Sequence, residues 1–294
     1  MKRCLLFTAI AAVGMLLCQS AFAQVIQAPV LPPLRSPRIS QGQSLTQVVG
    51  MSEVNIYYHR PGVKGRTIWG PKGSNALLPY GEVWRAGANE PTLFTFTDEV
   101  TIGGKKLRPG TYRFVTIPGT NEWTVVFNSE VKNWGTVYDA KYDTLRLTVK
   151  PENGPHEEWM SFSFTDLSHT SATVVLAWEK VRISFKVEFN LLGKLQASVG
   201  TWGTLNGAAR TALDNKMYLK EAMGWVDRSL AIERNFFNLK TKAELLALEG
   251  KTSEAIAAAE EGLKIISPRV AQLPDFQRQQ VTDMEKMVAD WKKK

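Results

Sequence analysis

The sequence predicts a two-domain α+β protein: an antiparallel β-sandwich or jelly-roll-like domain, then a C-terminal domain of α-helical hairpins. Two observations carry that expectation. From about Leu45 to Phe189, apolar residues alternate with polar ones, which is the period of half-buried strands. After Leu195, apolar residues recur every three or four positions, which is the period of amphipathic helices. A hydrophobic fraction of 44% beside 22% charged residues excludes a disordered or low-complexity chain.

The first 23 residues read as an address. Lys2 and Arg3 precede the uncharged, largely apolar stretch Leu5 to Leu17, and Ala21-Phe22-Ala23 has the small-x-small form of a cleavage site. Cleavage after Ala23 leaves Gln24 as the mature N-terminus and places the chain in the periplasm or outside the cell. It also removes both cysteines, Cys4 and Cys18, so the mature chain is thiol-free and depends on core packing alone. The formal charge then changes from 36 − 28 = +8 to 34 − 28 = +6. Residues 24–40 hold Pro29, Pro32, Pro33 and Pro37 and read as an extended arm.

The β-domain is expected over residues 41–190. Val54, Ile56 and Tyr58 alternate with Glu53, Asn55 and Tyr57, and Leu145, Leu147 and Val149 alternate with Thr144, Arg146 and Thr148. Further strands are expected at Thr92–Thr97, Thr111–Ile117, Trp123–Asn128, Glu158–Phe164 and Thr173–Trp178. Val181 to Phe189 is the clearest alternation and is expected as a separate strand. Gly103-Gly104 and Pro118-Gly119 supply turns.

The helical domain is expected over residues 197–294. Leu219, Ala222, Met223, Val226 and Leu230 share one helical face, as do Ile256, Ala259, Leu263 and Ile266. Thr252 is the expected N-cap of the second helix and Pro268 its stop. Val281, Met284, Val288 and Trp291 form a last apolar stripe. The segment Leu219–Leu230 recurs as Thr252–Leu263, an offset of 33, near the repeat length of tetratricopeptide-like arrays. A plain helical bundle fits the same periodicity.

The chemical motifs are mostly negative. His156-Glu157-Glu158-Trp159-Met160 lacks the second histidine of a zincin, and no phosphate loop, nucleophile elbow or dinucleotide fingerprint occurs. No cofactor, metal ligand or catalytic residue is assigned. The basic residues form no long run, which argues against a nucleic-acid partner. No apolar run after the leader approaches the roughly 18–20 residues of a membrane helix.

Two stretches stand apart. Tyr58-His59-Arg60-Pro61-Gly62-Val63-Lys64-Gly65-Arg66 runs from a strand into a loop dense in cations, and Trp84-Arg85-Ala86-Gly87-Ala88-Asn89-Glu90 is polar, aromatic and irregular. With Gly104-Lys105, Pro109-Gly110-Thr111-Tyr112 and Trp134-Gly135, these motifs resemble domain of unknown function family 2911 over about Ser36 to Phe189. The resemblance implies an exported bacterial protein, often followed by helical repeats, with no established activity and no assigned catalytic residues.

Two readings of the second motif stand side by side. In one, Arg85 pairs with Glu90 as a structural pin, Trp84 fills the mouth of the β-domain, and Gly87 supplies a turn. In the other, the loops form a site for an anionic or glycan ligand. Arg60, Arg66 and Arg85 then offer forked donors, Trp84 or Tyr58 a stacking face, and Asn89 and Glu90 polar contacts. The expected function is an exported, non-catalytic binding or assembly protein of the bacterial envelope, with a protein or peptide partner on the helical domain. Its alternative is a carbohydrate- or anion-binding envelope enzyme with its site at Trp84–Glu90.

Overall fold

The alternation of the N-terminal half folds into two antiparallel sheets. The computed structural model describes residues 37–134 and 136–293, so the leader and most of the Pro-rich segment lie outside the described residues. Strands β1 (Gln41–Val49), β2 (Ser52–Arg60), β5 (Thr92–Phe96), β8 (Gly110–Ile117), β9 (Trp123–Asn128) and β10 (Asp143–Val149) form a six-stranded sheet in that order. β6 (Val100–Ile102), β7 (Lys105–Leu107), β11 (Glu152–Thr165) and β12 (Ser171–Phe189) form the second, ordered β11-β12-β6-β7. Two short segments, β3 (Trp69–Gly70) and β4 (Leu78–Pro79), pair in parallel.

The inner faces of the two sheets meet in one core. Phe94 of β5 meets Phe162 of β11 edge-on at 5.6 Å, and Phe114 of β8 stacks on Phe185 of β12 at 5.8 Å. Both Gly103 and Gly104 take positive φ, 56° and 75°, the backbone a two-residue hairpin needs between β6 and β7.

Thr173–Trp178 and Val181–Phe189, expected as separate strands, belong to the single 19-residue strand β12. The reason lies in the parity of its buried residues. Ala172, Val174, Leu176 and Trp178 are even-numbered, whereas Ile183, Phe185, Val187 and Phe189 are odd. A regular strand would turn one of these sets to solvent. Glu179, at φ 57°, supplies the left-handed step, and the pairing with β11 shifts register beside it. Both halves of β12 therefore face the same core.

Asn190 ends the strand and caps the first helix, its side chain accepting a 2.9 Å bond from the Gly193 amide. Helices α1 (Leu191–Ser198), α2 (Trp202–Asp214), α3 (Leu219–Ile232), α4 (Phe236–Leu248), α5 (Thr252–Ile266) and α6 (Asp275–Trp291) complete the chain. The result is a two-domain α+β architecture. Helices α2 and α4 start 236 − 202 = 34 residues apart, and α3 and α5 start 252 − 219 = 33 apart, so the helical hairpin repeats once.

Thr252 is the first residue of α5 and not its cap. Lys251 holds the cap position and makes no side-chain cap bond. The helix ends at Ile266 and Pro268 falls in the 3-10 turn beyond it, so Pro268 acts as the expected stop. Ala255, Ala259 and Gly262 of α5 let α4 approach closely, because a Cβ on Gly262 would stand 3.2 Å from that of Leu239. A buried polar chain sets the stacking of the hairpins. Ser229 donates to the Trp202 carbonyl at 2.8 Å, and Asn238 donates to Ser229 at 3.1 Å and to the Glu233 carbonyl at 2.6 Å.

Residues 191–196, between the two expected domains, form most of α1. Leu191 and Leu195 belong to the core of α2 and α3, while the Lys194 ammonium reaches back to Asp98 at 2.6 Å and to the Met51 carbonyl at 2.9 Å. Strands and helices lie in one compact unit, Ile39–Lys294. Burial pushes the Asp98 carboxyl up, but bonds from Lys194, Thr97 and Ser52 outweigh it and leave its pKa below the ordinary value. This anchor is therefore present above about pH 4 and is lost as pH falls through the lowered pKa of the folded state. Asp98→Asn is expected to speed amide hydrogen exchange in α1 at neutral pH while the central strands stay protected. Unchanged exchange in α1 would remove Lys194–Asp98 as its anchor.

Candidate functional site

The motif at 58–66 knits the two sheets together. Tyr58 is fully buried. Its hydroxyl donates to Gln43 Oε1 of the six-stranded sheet and accepts the Phe162 amide of the other, both at 2.8 Å, and its ring meets Phe162 edge-on. Burial raises its pKa. Arg60 Nε donates to the Met160 carbonyl at 2.8 Å, and a backbone bridge joins Gly62 to Trp159. Lys64 and Gly65 both take positive φ in a tight turn closed by Arg66 N–H to the Val63 carbonyl. The Arg66 guanidinium folds back on the Val63 and Gly62 carbonyls at 3.0 and 2.5 Å.

The second motif lies alongside. Trp84 exchanges backbone bonds with Thr116, which extends the sheet beside β8. The positive φ falls on Ala86 and Asn89, at 48° and 57°, and not on Gly87. Gly87 is required for a different reason: a Cβ there would stand 2.8 Å from Thr92 Oγ1 and 3.1 Å from the His59 carbonyl. Asn89 donates to the Ser40 carbonyl at 2.9 Å and ties the loop to the start of β1.

The expected Arg85–Glu90 pair does not form. Glu90 Oε2 lies 3.2 Å from His59 Nε2 instead. Arg85 Nε is buried without a hydrogen-bond partner, and its pKa is lowered by burial. The Arg85 charge in turn adds to burial in lowering the pKa of Arg113, a fully buried residue of β8 that donates to the Val137 carbonyl.

A cleft of about 500 Å³ opens between these loops. Among the described residues, Lys64, Arg66 and Arg85 are its charged lining residues, Trp84 and Trp178 are among the apolar ones, and no acidic residue lines it. The seven sequence candidates thus divide. Arg66, Trp84 and Arg85 line the cleft, whereas Tyr58, Arg60, Asn89 and Glu90 are occupied in holding sheets and loops. Neither Tyr58 nor Trp84 offers a stacking face. Tyr58 is internal, and Trp84 is 7% exposed and stacked on Trp178 with centroids 5.6 Å apart. Sequence reasoning missed Lys64 and Trp178 as lining residues. Trp178 sits at a core position of β12, and no local pattern separates it from a packing tryptophan.

The family model described as Protein of unknown function (DUF2911) matches residues 40–187. The chain belongs to this family. Both motifs and every cleft-lining residue except Ile39 fall within the DUF2911 region, while the six described α-helices lie after it. No curated protein and no solved structure matches the chain.

A second concave surface lies in the helices beyond the DUF2911 region. A cavity of about 680 Å³ is lined by Trp202, Asn206 and Arg210 of α2, Phe237 and Lys240 of α4, and Gln280 of α6. The α2 residues are spaced by four and so share a face. Arg210 and Lys240 both engage Glu244, at 2.7 and 2.5 Å. Asn206 Oδ1 is buried without a hydrogen-bond partner. Among the described residues no group of three or more His, Cys, Asp or Glu side chains could hold a metal ion.

Tyr58→Phe is expected to lower stability by about 1–3 kcal/mol, because the Phe162 amide loses its acceptor inside the core. Chemical denaturation measures this, and an unchanged midpoint would refute the inter-sheet role.

Proposed function

We propose that this DUF2911 protein is an exported, non-catalytic binding or assembly protein of the bacterial envelope. In this reading the two sheets are a β-sandwich, the helices are a short tetratricopeptide-like array, and the array docks an extended polypeptide. The observation that carries the reading is the groove between α2, α4 and α6. Trp202 and Phe237 supply apolar contact there, and the unpartnered Asn206 Oδ1 supplies an acceptor for a peptide N–H. Asp214 and Glu244 together balance Arg210 and Lys240, so the groove suits an amide backbone better than a strongly charged segment. No described helix is long and apolar enough to cross a membrane.

Export is supported by the leader pattern at residues 1–23. Mass spectrometry of the envelope fraction is expected to find a chain beginning at Gln24. An intact Met1 terminus or a lipid-modified Cys18 would overturn cleavage after Ala23.

The partner reading is tested in living cells with a photo-crosslinking residue at Gln280. One envelope protein should be labelled, and Asn206→Leu with Lys240→Ala should abolish labelling while leaving the melting curve unchanged. Labelling that persists in this double variant would place the partner elsewhere.

A further inference from the structure

We propose that the cleft between the 61–66 turn and the 84–88 loop binds a small organic oxyanion, a carboxylate or phosphate group on a sugar-sized body. The site is independent of the helical groove. Among the described residues its lining holds three cations and no acid, an imbalance that a bound anion corrects. Glu158, which is not a lining residue, accepts the Lys64 amide at 2.9 Å.

The polar atoms around the cleft are short of acceptors. Arg85 Nε and Trp178 Nε1 both belong to lining residues, and both are buried donors without a hydrogen-bond partner. Behind them, Trp69 meets Trp84 and Trp178 edge-on at 5.4 and 5.7 Å, and its own Nε1 is also buried without a partner. Buried polar groups normally find partners, so two orphaned N–H groups on residues that line one cleft, with a third on the core tryptophan packed against Trp178, call for an acceptor-rich ligand. Arg85 also presses on the like charge of Arg113, and an anion at Arg85 relieves that repulsion.

The apolar part of the lining sets the class of ligand. Leu77, Leu78 and Pro61 complete walls that suit a compact organic body. A ring stacked on tryptophan is excluded, because Trp84 and Trp178 stack on each other and are 7% and 1% exposed.

Because tryptophans line the cleft, intrinsic fluorescence reports occupancy directly. The mature full chain is titrated with glucuronate, glucose 6-phosphate and inorganic phosphate, with neutral glucose as the control. Saturable fluorescence change and a raised melting temperature are expected with at least one anion, and none with glucose. The two charged sugars distinguish a carboxylate from a phosphate source. Arg85→Gln should weaken binding roughly 10- to 100-fold. Arg66→Gln, at an exposed position, and Trp178→Phe, which removes only the indole N–H side of the ring, should each weaken it several-fold. Should Arg85→Gln fail to fold, these two variants decide the matter. Silence with all three anions, equal binding of glucose, or wild-type affinity in the folded variants overturns the proposal.

Discussion

The left-handed residue Glu179 is the constraint on which the rest of the molecule depends. Strand β12 pairs with β11 along one side and with β6 along the other, so it is the spine of the second sheet. Its first half buries Leu176 and Trp178, and its second half buries Phe185 and Phe189. Without the register step, one half would carry its apolar row into water. The energetic consequence is large, because burying each such side chain is worth about 1.5–3 kcal/mol. The same step holds Trp178 against Trp84 at one end of the core. At the other end the strand delivers Asn190 to cap α1, and so sets where the helices begin.

Sequence periodicity made most of the architecture legible, and its failures have physical causes. Alternation located β2 through Val54, Ile56 and Tyr58, and helical spacing located the stripe Val281, Met284 and Val288 of α6, since these residues fall on the buried face of a regular element. It divided β12 in two because a bulge reverses the parity of burial, and period alone cannot tell a bulge from a turn. It left residues 191–196 outside both domains because Leu191 and Leu195 are too few to declare a helical face. Thr252 had the chemistry of a cap but stood one residue inside the helix, where its hydroxyl is not the cap.

The candidate site was less legible for a different reason. Motif chemistry identifies which side chains are able to bind, but long-range pairing decides which remain available. Tyr58 and Phe162 are 104 residues apart in the chain, and Arg60 and Met160 are 100 apart. Nothing local announces that a carbonyl or amide from β11 will occupy those groups. Glu90 was the obvious partner for Arg85 by proximity in sequence, yet the loop turns at Ala86 and Asn89 and brings Glu90 to His59. The loop thereby separates its own acid from its own base.

That separation gives the β-domain loops their asymmetry. Arg60 and Arg66 are turned onto backbone carbonyls, where a guanidinium steadies the chain without needing a counter-charge. Arg85 Nε has no such carbonyl among the described residues, and burial makes its surroundings hostile to a positive charge. A side chain with only a structural duty would gain by losing that charge, since an apolar residue of similar volume fills the same space without desolvation. A guanidinium there makes physical sense when something anionic shares the cleft, and among the described residues no acid lines its walls.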